Sequence, residues 1–462
     1  MRRVWLVNVA IVLFLTACQT IPAVTASEPE GTSASTIPDC TFDVGIDLVD
    51  VTPTNEVLLG GSPFPKKTSE VDTPLFVKAM VISSGTQKVA IVTLDHLKYP
   101  SNLADIAREQ IEESTGIPFD NIIICSSHTH SSPMWWNPCY KEDNRLLTPI
   151  HKAVELAAAD LEPCKLGTAT ETVEGITRNR RLMVDGEVWN RWLVDRGAPD
   201  TTKDTYPAEG PIDPELIVLA AVNQNGKYKA ILYNYACHAD VTRPTMISAD
   251  YPGHVQKVVS ENLGYAVPAL FLAGACGDIN PYPYGNSPDN SQAPVFGRKL
   301  GNGVLESLEH LEFITSSTLC AESRNANMPG REDPCFAEEE ITRKWPETLE
   351  VHRKAFQATM SQRKPTYEFW LSGIRIGDNF AIVTNPDELF CQTGLDIKKG
   401  SPFKRTMVVE QTNGSHGYIP TPNACEAGGY EAWYGEHSYL STNAATIIET
   451  NSLDILAHLK NK

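Results

Sequence analysis

One pattern limits what this chain can fold into: short, apolar, β-branched runs that stop abruptly in polar loops. Asn121-Ile122-Ile123-Ile124-Cys125 leads straight into Ser126-Ser127-His128-Thr129-His130-Ser131-Ser132-Pro133. Ala230-Ile231-Leu232-Tyr233-Asn234-Tyr235 leads into Ala236-Cys237-His238-Ala239-Asp240, and Phe380-Ala381-Ile382-Val383-Thr384 into Asn385-Pro386-Asp387-Glu388. Runs of this kind read as buried strands, and a buried strand that ends in a loop gives rigidity and access together. Two histidines spaced as in His128 and His130 leave an extended backbone on the same side. Three strand ends thus offer His, His and Glu, the ligand set of a catalytic zinc with one position open for water. The separations are too long for a local zinc-finger pattern. Structural imidazoles bonded to loop backbone remain the competing reading at this point.

The rest of the chain alternates similar runs with helical patterns. The spacing predicts strands over 42–51, 76–83, 88–95, 121–125, 216–222, 229–235, 267–273, 369–376 and 380–384. Asn223-Gln224-Asn225-Gly226 between two of them is a hairpin signal. Helices are predicted over 101–115 with Ser101 as cap, from Thr148-Pro149 to about Leu161, over 252–263 with Asp250 as cap, and over 444–459. No period suggests a repeat architecture. The best fit is an α/β fold, mixed β-sheets flanked by helices in a single large catalytic domain over 41–462.

Residues 1–18 read as a targeting segment. Arg2 and Arg3 precede a short apolar core, and Leu15-Thr16-Ala17-Cys18 resembles the lipobox of bacterial lipoproteins. That resemblance implies cleavage before Cys18 and a lipid on its sulfur, so a protein exported and anchored to the bacterial envelope rather than spanning it. Gln19 after the cysteine points to the outer membrane. Residues 19–40 are rich in Thr, Ser, Ala, Pro and Glu and read as a flexible tether. With 39 Lys plus Arg against 57 Asp plus Glu, the chain is strongly acidic, which argues against nucleic acid as a partner. Export permits disulfides among the cysteines besides Cys18, with Cys320 and Cys335 the expected pair.

Three more segments complete a recognisable order: Gly274-Ala275-Cys276-Gly277-Asp278-Ile279-Asn280-Pro281, Gly417-Tyr418-Ile419-Pro420-Thr421, and Gly428-Gly429-Tyr430-Glu431. With His-Thr-His-Ser, Cys-His-Ala-Asp, Pro-Asp-Glu-Leu-Phe and the opening Asp43-Val44-Gly45-Ile46, the chain resembles the catalytic domain of the neutral, non-lysosomal ceramidases from about residue 42 to 460. The resemblance implies a Zn2+ ion held by His128, His238, Glu388 and Tyr418, with His130 beside it as general acid and base. Tyr430 resembles the family's substrate-polarising tyrosine. Arg180, in Arg178-Asn179-Arg180, matches an Asn-Arg segment that reaches the site. Core aromatics for the two tyrosines and a surface ion pair for Arg180 are the alternatives.

Two departures bear on mechanism. The family carries Gly-Asp-Val-Ser-Pro-Asn where this chain has Asn280 in place of the serine. A carboxamide is no hydroxyl nucleophile, so a serine acyl-enzyme is excluded there, whereas zinc-activated water needs no serine and Asn280 can still bind substrate. The family also usually continues into an immunoglobulin-like domain, and Trp135-Trp136 replace a Gly-rich continuation, so a different pocket rim and membrane engagement are expected. The implied activity is hydrolysis of an N-acyl bond in a lipid or other small molecule, with Asp250 and Asp278 as candidates to orient the ligand imidazoles. An ester, N-acyl sugar or peptide substrate, or a non-catalytic surface-binding lipoprotein, are the competing functions.

Overall fold

In the computed structural model, residues 42–462 are described, apart from 63, 135–144, 192–205, 243–244, 283–291 and 436. The lipobox and tether, and Trp135-Trp136, lie outside the described residues. The β-branched runs become strands β1 (Phe42–Asp50), β2 (Phe76–Ser84), β3 (Gln87–Leu94), β4 (Ile122–Ser126), β5 (Glu162–Thr172), β6 (Glu215–Asn223), β7 (Tyr228–Tyr235) and β8 (Ala269–Ala273). They assemble in the order β8-β7-β6-β5-β1-β2-β3-β4, with a short strand, Glu312–Phe313, beside β5. Pairing is parallel for β7 with β8 and for β3 with β4, and antiparallel elsewhere along this path. The predicted hairpin joins β6 to β7. A second sheet has the order β9 (Leu319–Asn325), β10 (Trp370–Ile376), β11 (Phe380–Thr384) and β12 (Arg405–Val409).

The alternation of side chains along each strand sets the layers. In β2, Met80 and Ile82 face the second sheet, where they meet Ile374, Ile376, Phe380 and Ile382. Val77, Ala79 and Val81 face the opposite way, against α1 (Ser101–Thr115) and α2 (Leu147–Ala159). In β11, Ala381 and Val383 turn from the first sheet toward α3 (Cys391–Gly400) and α4 (Ala444–Asn461), through Ile397, Ile448 and Ile455. The layers therefore run helix, sheet, sheet, helix, as one compact unit. Full burial of each such Val, Leu or Ile contributes roughly 1.5–3 kcal/mol, and the inter-sheet cluster shares that stabilisation with the clusters on the outer, helix-covered faces.

Three expectations need correction. Cys320 and Cys335 are free, as is every other cysteine among the described residues. Cys320 lies on β9 and packs against the helical layer, whereas Cys335 is exposed in a loop. Ser101 makes no cap bond: Pro100 is the cap, because its extended backbone already starts the turn. Asp250 is the first residue of the helix Asp250–Leu263 rather than its cap. Its carboxylate accepts from Tyr251 N and Thr242 N, both at 2.6 Å. No helix among the described residues is long and apolar enough to cross a membrane.

Candidate metal and catalytic site

The loops after β4, β7 and β11 converge at one end of the two sheets. Residues Glu410–Asn413, which follow β12, stitch them together: Glu410 N donates to Ala273 O, Ser126 N to Gln411 O and Asn413 N to Ile124 O. His128 leaves β4 with a left-handed φ of +62°. For a residue with a side chain this costs about 1–3 kcal/mol and persists only where surroundings fix it. Here its N–H donates to His96 O at 3.0 Å and its Nδ1 donates to Leu97 O at 2.9 Å. His238 is equally pinned, its Nδ1 lying 2.7 Å from Cys276 O and 3.1 Å from Ile279 O.

These bonds fix the tautomers. With Nδ1 donating to backbone, each Nε2 carries a lone pair. His128 Nε2 lies 3.4 Å and His238 Nε2 3.2 Å from the same oxygen, Glu388 Oε2. Two lone pairs and a carboxylate oxygen thus face one another at buried positions, an arrangement that a cation among them satisfies. His128 Nε2 makes no hydrogen bond of its own, and neither does His130 Nε2. The imidazoles of His128, His130 and His238 form a group able to hold a metal ion, their ligand atoms lying within 4.8 Å of one another. Neutral imidazoles with a carboxylate fit a small N/O-ligated divalent ion.

Electrostatics follow the same geometry. Burial opposes charge on Glu388, but a proton on the adjoining His128, which stands in for a cation there, outweighs it and holds the carboxyl well below its usual range. Burial, reinforced by His128 and His238, keeps the His130 imidazole well below its ordinary pKa. Its Nδ1 lies 3.8 Å from Asp240 Oδ1. His130 packs so tightly on Gly61 that a Cβ there would sit 2.6 Å from its own Cβ.

Tyr418 pairs in register with Glu388 through two short parallel strands, Glu388–Leu389 and Tyr418–Ile419. His128, His130, Glu388, Tyr418 and Tyr430 line one cavity of about 180 Å³. Tyr430 stacks on His437, ring centroids 4.8 Å apart, and meets Tyr418 edge-on at 5.7 Å. His238, Arg180 and Asn280 lie against this wall rather than on the cavity surface. Arg180 sits 5.2 Å over the Tyr418 ring, and its Nη1 donates to His238 Nε2 at 3.2 Å and to Asn280 Oδ1 at 3.0 Å. The structure therefore brings all eight candidate residues into one cluster.

Asp250 and Asp278 do not orient the imidazoles, because backbone carbonyls already take both Nδ1 protons. Asp278 instead accepts from Cys391 N and Asn179 Nδ2. Two carboxylates that sequence reasoning missed do the positioning. Glu431, fully buried, accepts from Arg180 Nε at 2.8 Å, Arg181 Nη1 at 2.8 Å and Asn190 Nδ2 at 2.6 Å. Glu410 accepts through Oε2 from Cys276 N and Leu389 N, both at 3.0 Å. It thereby ties the carbonyl that holds His238 to the neighbour of Glu388. Gly277 lets these two segments meet, since a Cβ there would lie 2.4 Å from Glu388 O. Neither glutamate stands in a pattern that announces such a role; Glu431 merely follows Tyr430.

No protein-family model matches the chain, and no curated protein matches it in sequence. Solved structures do match in shape. The crystal structure of neutral ceramidase from Pseudomonas aeruginosa superposes with a TM-score of 0.70 at 17% identity, covering 92% of this chain and 75% of that one. The chain has the neutral ceramidase fold. A ceramidase complexed with C2 gives the same TM-score at 16% identity, covering 92% and 76%. At so low an identity the likeness is one of fold: the two chains share the path of the backbone and few of their residues.

Proposed function

We propose that this chain is a member of the neutral ceramidase family that hydrolyses the amide bond of an N-acyl lipid, with zinc as cofactor. The observation that carries this reading is the convergence of His128 Nε2, His238 Nε2 and Glu388 Oε2, with both imidazole protons committed to backbone. His128, His238 and Glu388 would hold the ion, with Tyr418 as the fourth ligand. Zinc bound there supplies an acidified water and polarises a carbonyl.

The remaining roles belong to the chain itself. His130, kept neutral by burial and set beside Asp240, accepts a proton from the attacking water and returns it to the departing amine, which leaves poorly as an anion. Tyr430, on the cavity wall, donates its hydroxyl to the oxyanion. Arg180 adds positive charge beside Tyr418, and its orientation comes from Glu431 on one side and Asn280 on the other. Asn280 thus has work as a hydrogen-bond acceptor that a serine nucleophile is not needed for. The lipobox resemblance at Leu15–Cys18 supports export with a lipid anchor at Cys18.

The test is release of fatty acid from ceramide by the purified, zinc-loaded chain, beside a chelator-treated control. Chelator-sensitive release is expected. Zinc-loaded protein that frees no fatty acid from any N-acyl lipid would overturn the reading.

A further inference from the structure

The helix Leu349–Ser361 borders two cavities with one face. Val351, His352 and Ala355 line the cavity that holds His128 and Glu388, while Ala358, Thr359 and Gln362 line a second, of about 1130 Å³. Each residue of the second set lies seven positions after one of the first. Seven helical positions return to the same face, about 10 Å further along the axis. Two other walls continue in the same way. Leu97 and Lys98 run on to Ser101 and Asn102, and Tyr418 runs back to His416 and Ser415. The two cavities therefore follow one another along one trough. The catalytic cavity, at about 180 Å³, is smaller than the roughly 300–1,000 Å³ that enclose a small molecule. A substrate held there by its amide must extend beyond it.

The second cavity is polar and carries no net charge. Asn102, Gln362 and Thr366 offer exposed amide and hydroxyl groups, and Ser101 and Ser415 half-buried hydroxyls. Asp105 pairs with Arg108 at 3.3 Å, and Lys364 is offset by Glu368. An acyl chain seated here would strip water from these groups without replacing its hydrogen bonds. A charged ligand would find no net countercharge. One side of the cavity is aromatic. Tyr367 and Tyr439 have ring centroids 4.9 Å apart, and both pack behind against the cluster of Phe369, Leu371 and Leu440. Tyr367 Oη accepts from Lys364 N at 3.1 Å. His416 lies on Phe369 at 5.4 Å, and its Nδ1 donates to Asp387 Oδ1 at 3.1 Å. The rings are thus fixed before any ligand arrives, which spares the cost of ordering them. Fixed aromatic faces among amides and hydroxyls are the complement of a neutral sugar, whose C–H faces pack on rings and whose hydroxyls both donate and accept.

We propose that the second cavity is a sugar subsite of the same active centre, so that the preferred substrate is an N-acyl lipid whose head group carries a neutral oligosaccharide. This rests on the amide-hydrolase reading and names its substrate class. A disaccharide attached next to the amide spans the shift along the helix from one cavity to the other.

The experiment compares lactosylceramide with ceramide of the same acyl chain as substrates of the wild type, Tyr367→Ala and Gln362→Ala. Thermal midpoints are measured on the same samples. The wild type is expected to favour lactosylceramide in kcat/KM by about tenfold. Tyr367→Ala should reduce the preference to within about twofold. Gln362→Ala, at an exposed position where folding is undisturbed, should lower it about threefold. Neither variant should change turnover of ceramide. A preference lowered by either variant at unchanged ceramide turnover supports the inference. No preference in the wild type, a preference that both variants leave intact, or an equal loss on both lipids overturns it, and in each case the amide-hydrolase reading stands.

If the wild type cleaves neither lipid, the amide-hydrolase reading is what fails. The sugar subsite is then decided by calorimetric titration with lactose and cellotetraose. Binding weakened in either variant supports it. No binding up to about 10 mM sugar, or equal binding by all three proteins, overturns it.

Discussion

Arg180 Nε donates to Glu431 Oε1 at 2.8 Å, and neither side chain reaches solvent to any extent, at 3% and 0% exposed. The same carboxylate accepts from Arg181, which also pairs with Glu209, so Glu431 is the buried anion shared by two guanidiniums and the sole carboxylate paired with Arg180 among the described residues. Breaking such a pair by removing one partner leaves uncompensated charge and costs about 3–5 kcal/mol. Glu431→Ala should lose about this much stability in urea denaturation. A loss under about 1 kcal/mol would show that the two arginines find other partners.

His128→Ala and Glu388→Ala each remove a member of the converging set. Both should lose bound metal, as measured by plasma mass spectrometry, and both should lose hydrolysis by at least about a thousandfold. Full metal content with full activity in either variant would move the centre elsewhere.

Burial pushes the Glu410 carboxyl up to about 8, so near neutral pH it is largely protonated and resembles a carboxamide. Glu410→Gln is accordingly expected to be mild. Glu410→Ala leaves Cys276 N and Leu389 N unpaired and loosens the segments behind His238 and Glu388. Metal affinity in that variant should fall about tenfold to a hundredfold, by competition with a chromophoric chelator. Equal effects of Gln and Ala would contradict this.

Gly61 has a φ of +76° and no room for a Cβ beside His130. Gly61→Ala should displace the imidazole, and a displacement near 1 Å lowers kcat by about a hundredfold. Metal content should not change, because His130 is assigned to proton transfer. Loss of metal would instead make His130 a ligand.

Burial holds the His352 imidazole down to about 4, against an ordinary value of 6.5. Between these values the unfolded chain binds the proton and the native one does not, so stability is lost as pH falls through that window. His352→Phe has no such proton to bind. Wild type should therefore lose stability relative to His352→Phe as pH drops from about 6.5 to about 4, read from urea midpoints. Parallel pH curves for the two proteins would mean that His352 is freely solvated.

Much of the architecture was legible in the residues. The run Asn121–Cys125 could be little but a buried strand, and Gly116 past Thr115 stopped α1 where expected. Strand ends carrying His128, His238 and Glu388 could be picked out because a run of β-branched residues that meets a histidine or carboxylate is a local signal. The cysteine pairing was not legible, since nothing local says that β9 turns Cys320 toward the helical layer. The errors at Asp250 and Asp278 share one cause. A carboxylate near a histidine in sequence looks like its partner, yet the Nδ1 protons went to carbonyls of Leu97, Cys276 and Ile279.

By itself, the sequence determined where the histidines and carboxylates able to ligate a metal or move a proton fall, and which runs are strands, because residue type and periodicity are local properties of the chain. The tertiary structure decided what those residues face. It put one oxygen of Glu388 between two imidazoles whose strands lie over 100 residues apart. It set Glu431 under Arg180 across 251 positions, and it laid the helix Leu349–Ser361 along the cavity. Such pairings depend on how the two sheets stack and where their end loops meet, and no local pattern encodes a distance across that stack.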